Sequence, residues 1–198
     1  MKQKLEYRIF VVEQYGTDTF NKGRLFNAGF KEMKKYGAWG CIVFHDLDLI
    51  PLDERILYSC PSWPRHMCGT VVEKADDPTY HSLFGGVTSM TPAQYEKLNG
   101  YSNLYWGWGG EDHDMFWRLR FLGFPITRYN RAIARYTSLP HPISLRNPLR
   151  YNHIRGGIGK YRQDGLTTLE YKLISITERH LYTHIVVDIN PFNERTTQ

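Results

Sequence analysis

The stretch CIVFHDLDLIP, from Cys41 to Pro51, decides the fold. Its first half, Cys41 to His45, is a short apolar run of the kind that forms a buried strand. Its second half sets Asp46 and Asp48 just past that strand's carboxyl end, and Pro51 closes the turn. In open α/β sheets, ligands bind beyond the carboxyl ends of strands. Working outward toward the N-terminus, Tyr7 to Gln14 (YRIFVVEQ) is rich in β-branched and aromatic residues and predicts a second strand. Between the two, Leu25, Phe26, Phe30 and Met33 recur at helical spacing from about Asn21 to Tyr36, and Gly37 follows as a stop. Strand, helix and buried strand in about 40 residues predict a βαβ unit with a parallel pair.

Outward in the other direction, Thr91-Pro92 starts a short helix that Gly100 ends. Then comes Trp106-Gly107-Trp108-Gly109-Gly110, followed by Glu111-Asp112-His113-Asp114. Met115 to Leu122 are helical in pattern, with Gly123 as the stop. The acids therefore fall at a helix N-terminus, where the dipole favours negative charge. Arg146 to Arg162 mixes Pro148, Gly156, Gly157 and Gly159 with basic residues and predicts a mobile loop. Leu173 to Thr177 and His184 to Ile189 predict closing strands. With no internal repeat or linker, residues 1–198 form one domain.

Hydrophobic residues make up 41% of the 198 and charged residues 23%, which excludes a disordered, collagen-like or coiled-coil chain. Aromatics reach 15%, a surplus that serves either as core or as a platform for flat ligands such as sugars and bases. No apolar run approaches the roughly 18 residues of a membrane span, and MKQKLEYRIF lacks the apolar segment of a signal peptide. No targeting signal is visible in this chain. The net charge is +5. From Met115 to Gln163 there is no acid, while Arg118, Arg120, Arg128, Arg131, Arg135, Arg146, Arg150, Arg155, Lys160 and Arg162 all fall there. Such a stretch is either a solvated face or a site for phosphate. Its Pro and Gly argue against a nucleic-acid recognition helix, so nucleic acid is not expected as a partner. Cys41, Cys60 and Cys68 are too few for a disulfide scaffold, leaving room for one pair and one free thiol, and no C-x-x-C unit favours zinc.

Asp46-x-Asp48 offers oxygens to a hard divalent cation, although two aspartates in a turn also serve as caps. WGWGGEDHD is more specific. The glycines let backbone approach a ligand, the indoles offer flat faces, and a base beside a hydroxyl needs a carboxylate. Phe84-Gly85-Gly86 is a weaker signal of close backbone approach. His141, between two prolines, can complete a metal shell, and His45 is the other candidate. Cation, phosphate-binding arginines, platform and carboxylate together suggest sugar transfer from a nucleotide sugar.

The ordered set FNKGRLFNAGF (Phe20 to Phe30), FHDLDLIP (Phe44 to Pro51), PRH (Pro64 to His66), FGGV (Phe84 to Val87), NGYSNLYWGWGGEDHD (Asn99 to Asp114) and DGL (Asp164 to Leu166) resembles the β-1,4-galactosyltransferase family. The resemblance covers about Tyr7 to Asn190. It implies an α/β, GT-A-like mixed sheet flanked by helices. It also implies inverting, Mn²⁺-dependent transfer of a hexose from a UDP-sugar to the 4-hydroxyl of a terminal GlcNAc-type acceptor on a glycoprotein or glycolipid. By resemblance, Asp48 and His141 hold the metal and Asp46 lies on the nucleotide side. Asp112 is the catalytic base. Trp108 contacts the donor and Glu111 the acceptor, and Arg150, Tyr151 and Ile154 receive the acceptor's N-acetyl group on a loop from about Ile143 to Arg155. Cys41 and Cys60 match a family disulfide, which implies the Golgi lumen for the complete protein.

Four departures carry expectations. Ser138 stands where vertebrate members commonly have a metal-ligating methionine, and a harder ligand widens metal preference toward Mg²⁺. His113 replaces the second aspartate of the acidic run. Leu83 stands where galactose-specific members carry tyrosine, leaving room for an N-acetyl group, as in invertebrate relatives that transfer GalNAc, so UDP-GalNAc is favoured over UDP-Gal. The family's first nucleotide-binding strand, expected before Tyr7, is not found, nor are the stem and membrane anchor, so the chain reads as an N-terminally truncated catalytic domain. The alternative is a catalytically impaired sugar- or partner-binding module on the same fold.

Overall fold

In the computed structural model, residues 3–72, 82–142 and 144–191 are described. Asn21 sets the start of the first helix, its side chain accepting a bond from the Arg24 amide at 2.9 Å. Helix α1 (Lys22–Met33) runs on into a 3₁₀ turn at Lys34–Tyr36. Its apolar stripe divides between two cores. Leu25 and Ala28 pack with Phe10, Val12, Ile185 and Val187, while Phe30 and Met33 join Phe44, Tyr95, Tyr101, Met115 and Leu119.

The strand beside Val12, β1 (Phe10–Gln14), is not paired with the strand after α1, β2 (Ile42–His45). The expected parallel pair is therefore replaced by another. The parallel partner of β1 is β10 (Thr183–Asp188), in register from Phe10 opposite Thr183 to Gln14 opposite Val187. On the far side of β10 lies β9 (Lys172–Glu178), antiparallel, with Ile174 as an extra residue that bulges this exposed edge. β2 instead pairs antiparallel with β6 (Val87–Met90), which continues to β4 (Arg65–His66) and β7 (Thr127–Arg128). Among the described strands, β1 and β2 each keep one unpaired edge. That is why only Phe44 of β2 is buried, although its composition predicts a strand covered on both faces.

A third small sheet joins β3 (Leu49–Pro51), β8 (Arg135–Ser138) and β5 (Thr70–Val71). Helix α2 (Pro92–Lys97) starts in a capping box made by Thr91 and Gln94, and α3 spans Glu111–Phe121. The aromatic surplus is mostly core. Phe44 lies 4.5 Å from Tyr95, Phe30 lies 4.8 Å from Tyr95, and Phe26 lies 5.1 Å from Phe44. Such ring pairs each add about 0.5–1.5 kcal/mol beyond burial.

Arg146 to Arg162 is helical rather than a loop. Helix α4 (Arg150–Gly157) passes into a 3₁₀ segment, Ile158–Gln163. The Asn147 side chain accepts from the Leu149 amide, and Pro148 falls at the helix start, where its missing N–H has no partner to lose. Ile143, at the start of the expected loop, lies outside the described residues. Most of the basic stretch is a solvated face, with Arg120, Arg131, Arg135, Arg146, Arg155, Lys160 and Arg162 all exposed. No described helix is long and apolar enough to cross a membrane.

Candidate active site

The β2–β3 turn carries the two aspartates. The Asp46 amide donates to the Gly86 carbonyl, and Leu49 closes the turn onto the Asp46 carbonyl. Because β3 pairs with β8, Leu49 faces Ser138, and the Ser138 hydroxyl donates to Asp48 Oδ2 at 2.7 Å. His141, three residues on, brings Nε2 to 3.6 Å from the same oxygen. Two donors at that separation can both reach one cation through bonds of about 2.0–2.2 Å. The set is oxygen and imidazole, which suits Mn²⁺. No group of three or more His, Cys, Asp or Glu side chains converges for a metal among the described residues. A cation held there would have to draw further ligands from elsewhere, such as phosphate oxygens.

The second group starts at α3, whose first turn holds Glu111, Asp112 and Asp114 with no side-chain cap at Gly110. Asp112 sits against Gly85. A Cβ added at Gly85 would lie 2.0 Å from the Asp112 Cγ, and the Phe84 amide bonds the Asp112 carbonyl at 3.0 Å. The close backbone approach signalled by FGG is thus made to the carboxylate itself. Lys22 reaches in from the first turn of α1. Its Nζ lies 3.0 Å from Asp112 Oδ2, 2.9 Å from Glu111 Oε1 and 3.6 Å from Asp46 Oδ2. Glu111 Oε2 and Asp112 Oδ1 are buried with no hydrogen-bond partner.

Burial pushes the Asp112 carboxyl up to about 8, with Lys22 opposing and Glu111 and Asp46 adding. Burial raises Asp46 as well, again against Lys22. Burial acts upward on Glu111 too, but its bond and attraction to Lys22 bring it below the ordinary range. For Lys22, burial acts downward, and Asp112, Asp46 and Glu111 together outweigh it and hold the ammonium well above the usual range. Free Cys68 sits in the same neighbourhood. Burial first, then Asp46, Asp48 and Asp112, push its thiol up to about 12. Asp46 and Asp112 therefore meet at one ammonium, with Asp48 two residues beyond Asp46.

Behind the acids, Arg118 makes five hydrogen bonds from a fully buried position. They reach Asp114 at 2.6 Å, Asp164 Oδ2 at 3.1 Å and the carbonyls of Leu98, Gly100 and Asp164. Asn103 adds bonds to Asp164 and Gly165, and Asn99 to Tyr161 and Thr167. The NGYSN and DGL motifs are thus a hydrogen-bonded brace for α3.

Trp108, expected at the donor, and Arg150, Tyr151 and Ile154, expected at the acceptor, meet at α4. The Trp108 amide donates to Leu145, and the Asn147 amide returns a bond to Trp108. Trp108 is exposed, with the Arg146 guanidinium 5.6 Å from its ring, whereas Trp106 packs against the core with Arg24 over it. Only one of the two indoles offers an open face. The glycines of this run approach protein: at Gly107 an added Cβ would meet the Leu145 carbonyl, and at Gly110 the Tyr105 ring. Arg150 lies against Gly109 and 4.5 Å over Tyr151, with Ile154 one turn on. Leu83 is half-buried, its carbonyl accepting from Arg128. Cys41 and Cys60 form a disulfide, Cα to Cα 5.4 Å. His45, the other histidine candidate, is bonded to Tyr58 and the Asp46 carbonyl.

Lys22 is the residue that the motif reading passes over. Its signal is a broken rule, since a cation in the first turn of a helix opposes the dipole unless anions lie nearby. Arg118 was legible only as one of many arginines.

Residues 66–142 match the family model described as the N-terminal domain of galactosyltransferase, and residues 1–61 match the N-terminal region of glycosyl transferase group 7. β-1,4-galactosyltransferase 2 of Mus musculus is 38% identical over 192 residues, covering 95% of this chain and 52% of the relative. β-1,4-galactosyltransferase 6 of Rattus norvegicus is 40% identical, covering 96% and 50%. The chain thus spans about half the length of the curated relatives it matches. The catalytic domain of Drosophila β-1,4-galactosyltransferase 7, solved with xylobiose, aligns with a TM-score of 0.72 at 26% identity, over 92% of this chain and 80% of that one. A substituted form of the same enzyme was solved with manganese, UDP-Gal and xylobiose. The fold is accordingly that of the GT-A galactosyltransferase catalytic domains, and the chain belongs to the β-1,4-galactosyltransferase family.

Proposed function

We propose that the protein transfers a hexose from a UDP-sugar to the 4-hydroxyl of a GlcNAc-type acceptor with inversion. The observation that carries this reading is that Asp48 and His141 converge to 3.6 Å, while Lys22 ties Asp46, two residues before Asp48, to Asp112. Asp48 and His141 would hold Mn²⁺, which when bound offsets the charge on the departing diphosphate. Asp46 lines the nucleotide side. Asp112 takes the acceptor's hydroxyl proton, and the freed oxygen attacks the anomeric carbon from the face opposite the diphosphate. Glu111 contacts the acceptor, Trp108 lies at the donor, and Arg150, Tyr151 and Ile154 receive the N-acetyl group. The manganese and UDP-Gal bound by the Drosophila neighbour support the metal and donor class.

At Leu83 we favour UDP-GalNAc over UDP-Gal, because a smaller apolar side chain leaves room for the donor's N-acetyl group. The Ser138 hydroxyl on Asp48 widens metal tolerance toward Mg²⁺. The open edges of β1 and β2, both covered on one side by α1, are where we place a further strand of the complete protein, beside the nucleotide. The Cys41–Cys60 disulfide suits the oxidising Golgi lumen, our location for that protein.

Radiolabelled UDP-GalNAc and UDP-Gal, offered to the full-length protein with a GlcNAc acceptor and Mn²⁺, test the proposal. Metal-dependent transfer is expected, faster from UDP-GalNAc. Acceptor binding without transfer from either donor would instead make the protein a sugar-binding module.

A further inference from the structure

Lys22 is built into the acid cluster at an energetic disadvantage. It occupies the first position of α1, where the helix's positive end repels a cation, and its side chain is largely buried. A lysine is stable there only because of what faces it. Asp46 comes from beyond β2, and Glu111 and Asp112 come from the first turn of α3. The Tyr101 phenol, His113 and the Cys68 thiol also feel the charges of this cluster. One ammonium thus serves three carboxylates. Gly85 leaves Asp112 no room to retreat, its Oδ1 accepts no hydrogen bond, and its Oδ2 accepts one from Lys22 at 3.0 Å.

We propose that Lys22 is the positioning residue of this cluster: its ammonium holds the Asp112 carboxyl against Gly85 and favours its charged form, and so sets the pH range in which Asp112 accepts a proton. The proposal rests on Asp112 being the base. Glu111 and Asp112, both within 3.0 Å of one ammonium, cannot both stay ionised there without that cation between them. With the lysine gone, folded Glu111 and Asp112 would hold protons to higher pH than they do beside it, while the unfolded chain has released them. Stability would then fall as pH rises, and the base would work only at higher pH.

Two readouts test this. In thermal unfolding of the full-length protein, Lys22→Met should lower Tm by an amount that grows from pH 6 to pH 9. Asp112→Asn in the same background should recover roughly half the pH 9 loss or more, since one carboxylate is removed. Additive losses that do not change with pH would overturn the proposal. In the full-length protein, Lys22→Met should move the ascending limb of kcat/KM upward by about one pH unit or more, with acceptor KM changed less than about threefold. An unmoved limb would overturn it. Lys22→Arg, which keeps the cation, must keep both the stability and the limb. Loss of either with the charge retained also counts against the proposal. Asp112→Asn separates the two ideas: full transfer by that variant defeats the base assignment itself, whereas an inactive Asp112→Asn beside an unmoved Lys22→Met limb defeats only the role of Lys22.

Discussion

Three acids within four residues at the start of α3 feed two different buried charge networks. Asp114 turns inward to Arg118, and Glu111 and Asp112 turn the other way to Lys22. The Arg118 network is closed. Two carboxylates and three carbonyls absorb five hydrogen bonds from one guanidinium, and the arrangement ties α3 to Leu98, Gly100 and Asp164. The Lys22 network is open. One ammonium faces three carboxylates, and two of their oxygens are buried without a hydrogen bond. A closed network holds a fold together. An open one, with surplus negative charge and unused acceptors, is prepared to receive a proton or a hydroxyl. Burial alone does not separate structure from chemistry here, but the ratio of donors to acceptors does.

The largest effect that would sharpen this contrast is on the closed side. Arg118→Met should cost about 3–5 kcal/mol of stability, because it strands Asp114 and the carbonyls without their donor. Chemical denaturation checks it, and a loss below about 1 kcal/mol would show that the network is not the brace of α3. On the open side, Gly85→Ala pushes a methyl group into the Asp112 carboxylate. Displacing the base by even about 1 Å should reduce kcat some hundredfold while the disulfide and cores remain. Steady-state kinetics with circular dichroism checks this, and an unimpaired kcat would mean that Asp112 does not need its seat.

The pH dependence is a smaller effect. Only the ionised Asp112 can take a proton, so kcat/KM should rise as pH passes through about 8 and be roughly tenfold lower at pH 7 than at pH 9. A profile flat from pH 6.5 to 9 would break the link between burial and basicity. Smallest is Ser138→Ala. It removes one bond from Asp48 and should weaken Mn²⁺ binding by less than about tenfold, measurable by calorimetry, leaving the Lys22 cluster untouched.

Much of the fold was legible because period and punctuation agree. The α1 stripe, the Thr91 cap, the acids opening α3 and the last two strands all fall where spacing and stop residues put them. Strand pairing was less legible. A parallel partner for β1 had to come from Thr183–Asp188, about 170 residues away along the chain, and no local pattern encodes that. Helix α4 was hidden because Pro148 and the glycines read as breakers, although they lie at its two ends, where they do no harm. Within the site, the roles of Asp48, His141 and Asp112 came from family resemblance; in the structure His141 lies 3.6 Å from Asp48, and Lys22 links Asp112 to Asp46, two residues before Asp48. Lys22 had no motif to announce it, since its meaning depends on three carboxylates that only tertiary structure assembles.

The central claim is that one site divides its labour between a metal-holding side at Asp48 and His141 and a proton-accepting side at Asp112. The most direct measurement compares Asp112→Asn with Asp48→Asn in the full-length protein, following Mn²⁺-dependent binding of the UDP-sugar and transfer to a GlcNAc acceptor together. Asp112→Asn should bind donor and metal normally and lose transfer by about 10²-fold or more. Asp48→Asn should lose metal-dependent donor binding first. Transfer by Asp112→Asn at close to the unsubstituted rate would contradict the account.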